Sequence, residues 1–153
     1  MKKTVIILLM AVLLAFQSCV DNSTTFPDDA DGVFYGNLTV GDYTEYVGIS
    51  ITENDNSTVD VFFDDVKFAK GMPLRIDIMV KGIPSSNNGD LLAFSTVNID
   101  PYMNREKEPQ PEYRFSEISG TVSGNELVLT ARMSDALRPS FAGKKFSFRG
   151  VCE

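Results

Sequence analysis

Alternation of apolar and polar residues with a period of two restricts what this chain can fold into more than any other feature. In the segment from Leu74 to Lys81, the aliphatic Leu74, Ile76, Ile78 and Val80 interleave with Arg75, Asp77, Met79 and Lys81. Successive side chains of a strand point to opposite faces, so this pattern predicts a strand with one face in a core and the other in solvent. On that outer face Arg75, Asp77 and Lys81 are expected to make cross-strand ion pairs. Val47, Ile49 and Ile51 alternate in the same way with Gly48, Ser50 and Thr52, and Val59, Val61 and Phe63 alternate with Asp60, Phe62 and Asp64. With Val33 to Val40, Leu91 to Ile99, Phe115 to Val122, Leu127 to Met133 and Phe146 to Cys152, the chain holds eight such runs. They are rich in β-branched and aromatic residues, and no helical stripe interrupts them.

The separators decide how the strands connect. Glu53-Asn54-Asp55-Asn56-Ser57, Ser85-Ser86-Asn87-Asn88-Gly89-Asp90 and Ser123-Gly124-Asn125 are short and carry the residues that tolerate positive φ, as hairpin turns require. Neighbours in sequence are then antiparallel neighbours in space. Eight strands in a meander leave two edges to hide, and an up-and-down barrel hides both by pairing the first strand with the last. A β-sandwich is the rival fold; it needs long crossovers, which uniformly short hairpins do not supply. Two connections are longer, Asp100 to Arg114 with Pro101, Pro109 and Pro111, and Ser134 to Lys144 around Arg138-Pro139. A short helix or a lid has room only there.

Residues 1–18 predict an export signal. Lys2 and Lys3 precede an apolar run from Val5 to Phe16 that is too short to span a bilayer comfortably. The segment Phe16-Gln17-Ser18-Cys19 resembles a bacterial lipobox, and that resemblance implies that Cys19 is diacylated and becomes the mature N-terminus. Residues 19–31 are polar and acidic, too poor in apolar surface to offset their ordering entropy, and read as a flexible tether. Residues 32–153 then form one domain. Without Lys2 and Lys3 the mature chain keeps 12 basic against 21 acidic residues, a formal charge of −9. Such acidity opposes binding to phosphate-rich partners, so no nucleic-acid partner is expected. The expected partners are the bilayer, through acylated Cys19, and either a small hydrophobic ligand or an envelope protein; the domain is expected to be monomeric.

Chemistry is constrained as firmly by what is missing. The chain has no His, no Trp and two cysteines, Cys19 and Cys152. Most general acid–base machinery and most zinc, haem and transition-metal sites lose their usual side chains. No catalytic residue, cofactor or metal site is expected. Asp60, Asp64 and Asp65, and separately Asp28, Asp29 and Asp31, are oxygen-rich, but neither set has the spacing that wraps a loop round calcium. If Cys19 is acylated its sulfur is committed, and Cys152, in register with Phe146, Phe148 and Gly150, reads as a lone buried thiol. Tyr102, Met103, Tyr113 and Phe115 flank the longer Pro-rich loop. Aromatic and Met side chains over a barrel mouth are what a ligand lid would use, and these four are the candidate binding residues.

Taken together, Gly32 to Val40, Val47 to Ile51 with the Asn54-Asp-Asn56 turn, Ser57 to Phe63 before Val66-Lys-Phe68, Ile118 to Val122 and Phe146 to Gly150 resemble the calycin-like, lipocalin-like barrel domains of Bacteroidetes lipoproteins. That resemblance implies an eight-stranded barrel, a ligand-binding role and no shared catalytic residues. The expected location is the cell envelope, lipid-anchored at the outer membrane. Two functions follow. A ligand binder would leave a cavity among Val47, Ile49, Ile51, Ile76, Ile78, Val80, Leu127, Leu129, Phe146 and Phe148; a structural or interaction module would fill it with them. Gly48, Ala93 and Ala131 among bulkier inward residues predict a small pocket near the Asp100–Arg114 loop rather than a deep cavity.

Overall fold

A computed structural model describes residues 32–135 and 141–152. Nine strands follow one another: β1 (Val33–Val40), β2 (Tyr43–Asn54), β3 (Thr58–Val66), β4 (Ile76–Asn87), β5 (Leu91–Ile99), β6 (Tyr102–Met103), β7 (Phe115–Ser123), β8 (Glu126–Met133) and β9 (Lys145–Val151). A single 3₁₀ turn at Pro111–Tyr113 is the one helical element among the described residues. Setting β6 aside, the strands pair antiparallel in chain order, and β1 pairs with β9 from Tyr35↔Val151 to Val40↔Phe146. The result is a closed eight-stranded up-and-down barrel.

Closure is tight at that seam. Gly36 faces Gly150 across β1 and β9, and a Cβ on Gly36 would lie 2.0 Å from the Arg149 carbonyl oxygen. On the other side of the barrel the pairing is partial. β4 and β5 share three residue pairs, Ser85↔Phe94, Ser86↔Ala93 and Asn87↔Leu92. Pro84 has no N–H to extend the ladder, and Gly82, at φ +70°, forms a bulge in which Lys81 and Gly82 together oppose Asp60. β4 turns away from β5 beyond that point. The extra strand β6 takes the vacated edge near the mouth, pairing Met103 with Ile78 and Tyr102 with Met79.

Inward side chains from all eight barrel strands are buried and form one cluster. Of the ten expected interior residues, nine are buried, and Ile76 is half-buried at the strand's mouth end. A column of aromatic rings runs up through this core: Phe63 stacks on Phe115 at 6.5 Å, Phe115 meets Phe146 at 5.9 Å, and Phe146 meets Phe68 at 4.7 Å.

The sequence boundaries need several corrections. Leu74 is off the strand and 72% exposed, because β4 begins at Ile76 and runs on through Asn87, into what the sequence suggested was a turn. β2 starts at Tyr43, ahead of the expected alternation. Gly48 and Ala93 face outward rather than into the barrel, and Phe62, on the outer face of β3, is buried all the same. Cys152 follows the inward series of β9 and packs half-buried on the core, but it is disulfide-bonded, not a lone thiol. The other cysteine of the sequence, Cys19, lies outside the described residues, as do the proposed signal and tether.

The two ends of the barrel differ. At one end sit the tight turns at 55–57, 88–90 and 124–125, together with Gly32 and Cys152, whose N–H donates to the Asn125 carbonyl (2.8 Å). At the other lie the Gly41–Asp42 turn and the segments 67–75, 100–114, 134–135 and 141–144. Chain entry is at the closed end, opposite the mouth.

Candidate functional site

Mouth segments are held in place by ion pairs, and Asp65 of the oxygen-rich set 60, 64 and 65 is spent in one of them. Between Phe63 and Val66 the β3–β4 register shifts, Asp65 takes φ +49°, and its N–H donates to Asp77 Oδ1 (3.0 Å). Arg75 Nε donates to the Asp65 carbonyl (2.7 Å) and carboxylate (2.9 Å), and its guanidinium also pairs with Glu45. Asp77 binds Arg105 through Oδ2 (3.3 Å), while Asn104 and Asp77 exchange backbone and side-chain hydrogen bonds that fasten β6 to β4. Lys81 lies 4.8 Å from the centre of the Tyr102 ring. Arg75, Asp77 and Lys81 therefore point outward and pair, and they also anchor the long loop. Asp60 is buried and accepts from the Asn54 side chain (3.0 Å) and the Gly82 N–H (2.8 Å), which fixes the bulge. Among the described residues no three acidic or Cys side chains converge on a point where a metal could sit.

Loop 100–114 closes on a bidentate clamp, in which Arg114 Nε donates to Asp100 Oδ1 (2.6 Å) and Nη2 to Oδ2 (3.0 Å). The bond from Arg114 holds the Asp100 carboxyl below its ordinary range, against a smaller opposing effect of burial. Asp64 goes the other way. Partial desolvation raises it first, then the negative charges of Asp77 and Asp65, with Arg105 opposing.

Above the aromatic column the mouth is capped rather than open. Phe141 sits edge-on to Phe68 (5.8 Å) and to Tyr113 (5.5 Å). Beside this cap is a cleft of about 410 Å³ whose apolar wall is Met72, Leu74, Ile76, Met103, Tyr113 and Phe141, with Asn104, Glu106, Gln110 and Glu112 at its polar side. A second cleft of about 360 Å³, on the other flank of Met72, Pro73 and Phe141, is lined by Phe68, Ala69, Gly71 and Lys144. Both lie within the range of volumes that hold small molecules.

Of the four candidate binding residues, the structure brings two to the cleft. Met103 and Tyr113 line it. Tyr102 alternates to the outer face of the short β6 strand and packs under Lys81. Phe115 points into the barrel and is spent in the ring column. The sequence reading missed Met72, Leu74 and Phe141. Only Leu74 carried a signal, being apolar at the edge of an alternating run, and the other two sit in loops whose fold no periodicity reveals.

Fold and site thus define a class: a closed meander barrel with a side-chain-filled interior and an apolar cleft at the mouth. No protein-family model matches the chain, and no curated protein matches it. Among solved structures, the fold is similar to the crystal structure of a Bacteroides fragilis NCTC 9343 protein provisionally described as an outer membrane protein. The TM-score is 0.51 at 16% identity, over 78% of this chain and 50% of that one. The chain spans half the length of that protein, and at such identity the likeness extends to the fold.

Proposed function

We propose that this protein is an exported, lipid-anchored barrel of the calycin-like kind that binds a small apolar or amphipathic ligand without catalysing its conversion. One observation carries the reading: the cleft of about 410 Å³, with a Met, Leu, Ile and aromatic wall and polar groups on one side, at the barrel end that carries the long connections. Such a lining buries a ligand's apolar surface while a few polar groups orient it. Anchoring at Cys19 belongs to a form of the protein in which the Cys152 disulfide is not made. The chain enters at the closed end, so a tether there leaves the mouth facing away from the membrane.

Native mass spectrometry of the protein purified from its own host is the first test, and a co-purifying small molecule lost in Met103→Asp is the expected outcome. The N-terminal peptide tests the anchor. A thioether and a disulfide are exclusive fates of one sulfur, so an acylated Cys19 requires Cys152 to be alkylatable in the same preparation. Absence of acyl mass would remove the anchor from the proposal.

A second reading, a non-catalytic interaction module of the envelope, is favoured by the filled interior. Loss of a co-purifying molecule in Met103→Asp separates the two, whereas Leu129→Trp tests the filled interior that both share. In a packed interior it costs about 1–3 kcal/mol, and in an unfilled one it is nearly neutral.

A further inference from the structure

The outer wall formed by β2, β1, β9 and β8 has a character unlike the rest of this acidic protein. Antiparallel register sets its outward residues in rows across the strands. One row is Thr44, Thr39, Ser147, Thr130 and, on β7, Ser119, all hydroxyl-bearing. Two of its cross-strand pairs are already hydrogen-bonded, Thr39 to Thr44 at 3.0 Å and Ser119 to Thr130 at 3.1 Å. The next two rows run Tyr46, Asn37, Arg149, Val128 and Gly48, Tyr35, Val151, Glu126. Their charges, Arg149 and Glu126, are in contact with each other at 2.5 Å. In these three rows the wall presents hydroxyls, an amide, apolar side chains and two tyrosines, with no uncompensated charge.

The tyrosines form a shelf. Tyr46 is 65% and Tyr35 39% exposed, their ring centres are 6.5 Å apart, and their planes differ by 14°. Gly48 makes this possible. A Cβ there would meet Val33 Cγ1 at 2.8 Å and the Tyr35 ring at 3.2 Å, so any other residue would push both side chains aside. Two nearly parallel rings exposed side by side offer a flat apolar surface to solvent, flanked by Asn37 and the hydroxyl row.

We infer that this wall is a carbohydrate-binding face, with Tyr35 and Tyr46 stacking on the sugar rings of a neutral glycan. The chemistry of the surface selects that class. A pyranose has an apolar C–H face that stacks on an aromatic ring and an equatorial rim of hydroxyls that both donate and accept, as Ser, Thr and Asn side chains do. A nucleic acid or acidic polysaccharide would need a surplus of cationic groups, and the one cation in these three rows, Arg149, is already paired with Glu126. The inference is independent of the mouth cleft, which lies at the end of the barrel and not on its side.

The test is affinity electrophoresis of the full mature protein through gels containing soluble neutral polysaccharides (mixed-linkage β-glucan, arabinoxylan, galactomannan or dextran), followed by calorimetric titration of any that retards it. At least one should retard the wild type. Tyr46→Ala, at an exposed position where folding is retained, should weaken binding roughly tenfold, the effect of losing one stacked ring. Tyr46→Phe should keep most of it, and Tyr113→Ala, in the mouth cleft, should leave it unchanged. Retardation by none of the four, or retardation indifferent to Tyr46→Ala, would overturn the inference. So would binding to neutral phosphatidylcholine vesicles that is lost in Tyr46→Ala, which would make the shelf a membrane contact instead.

Discussion

Asp64 and Asp100 show how two carboxylates in one mouth acquire opposite pH signatures. Burial and the neighbouring negative charges of Asp77 and Asp65 raise Asp64, so its ionised form costs stability at neutral pH, and that cost is relieved as pH falls through its folded-state value. Asp64→Asn is expected to stabilise the fold slightly at pH 7, by less than about 0.5 kcal/mol for an exposed position, and so to raise the melting temperature. The gain should vanish below about pH 4, where both forms are neutral. Asp100 is held low by Arg114, so the clamp contributes above the ordinary carboxylate range and is lost as pH falls below it. Asp100→Asn should therefore melt earlier than wild type at pH 7, with the difference shrinking towards pH 2. Thermal melts of both variants between pH 2 and pH 7 check the two signs together; a constant offset across that range in either would contradict the assignment.

Among the strands, β1 and β9 bear the closure, and their glycines limit what the seam tolerates. Gly36→Ala would drive a methyl group to 2.0 Å from the Arg149 carbonyl and 2.4 Å from the Gly150 Cα. Both obstacles are backbone, so no rotamer change relieves them and β1 must move off β9. The expected loss is about 3 kcal/mol in urea denaturation, at the upper end of overpacking costs. A loss under about 1 kcal/mol would mean that the seam is looser than drawn here. The β4–β5 edge is governed by a different pair of residues. Pro84 and Gly82 stop the ladder from opposite causes, a missing donor and a left-handed backbone, and the edge so released is where β6 docks the long loop. An edge strand otherwise left open is thereby part-covered.

For the molecule as a whole, the barrel is a cycle in which each strand needs both neighbours. Removing Lys145–Val151 would bare β1 and β8 at once and uncover Leu38, Leu129 and Phe115. That truncation should lose cooperative thermal unfolding and associate on size-exclusion chromatography; a sharp melt with an undiminished β signal would show that closure is dispensable. The alternating runs and short turns carried the all-β class, the meander order and nine of the ten interior residues, because period two and turn chemistry are local and survive in the sequence. Strand ends were less legible: Leu74 alternates as well as Ile76 does, and only the bend of the 67–75 segment takes it out of the sheet. The cleft was half legible. Its loop was visible from three prolines, but which side of that loop faces inward depends on the Asp77–Asn104–Arg105 contacts, formed between residues about 27 apart in sequence. The shelf of Tyr35 and Tyr46 was not legible, since two tyrosines eleven positions apart become neighbours only when β1 and β2 pair in one register over Gly48. Alternation along the chain therefore determined which residues are buried together, while pairing between strands, set by backbone hydrogen bonds and bulges, alone decided which surface groups meet.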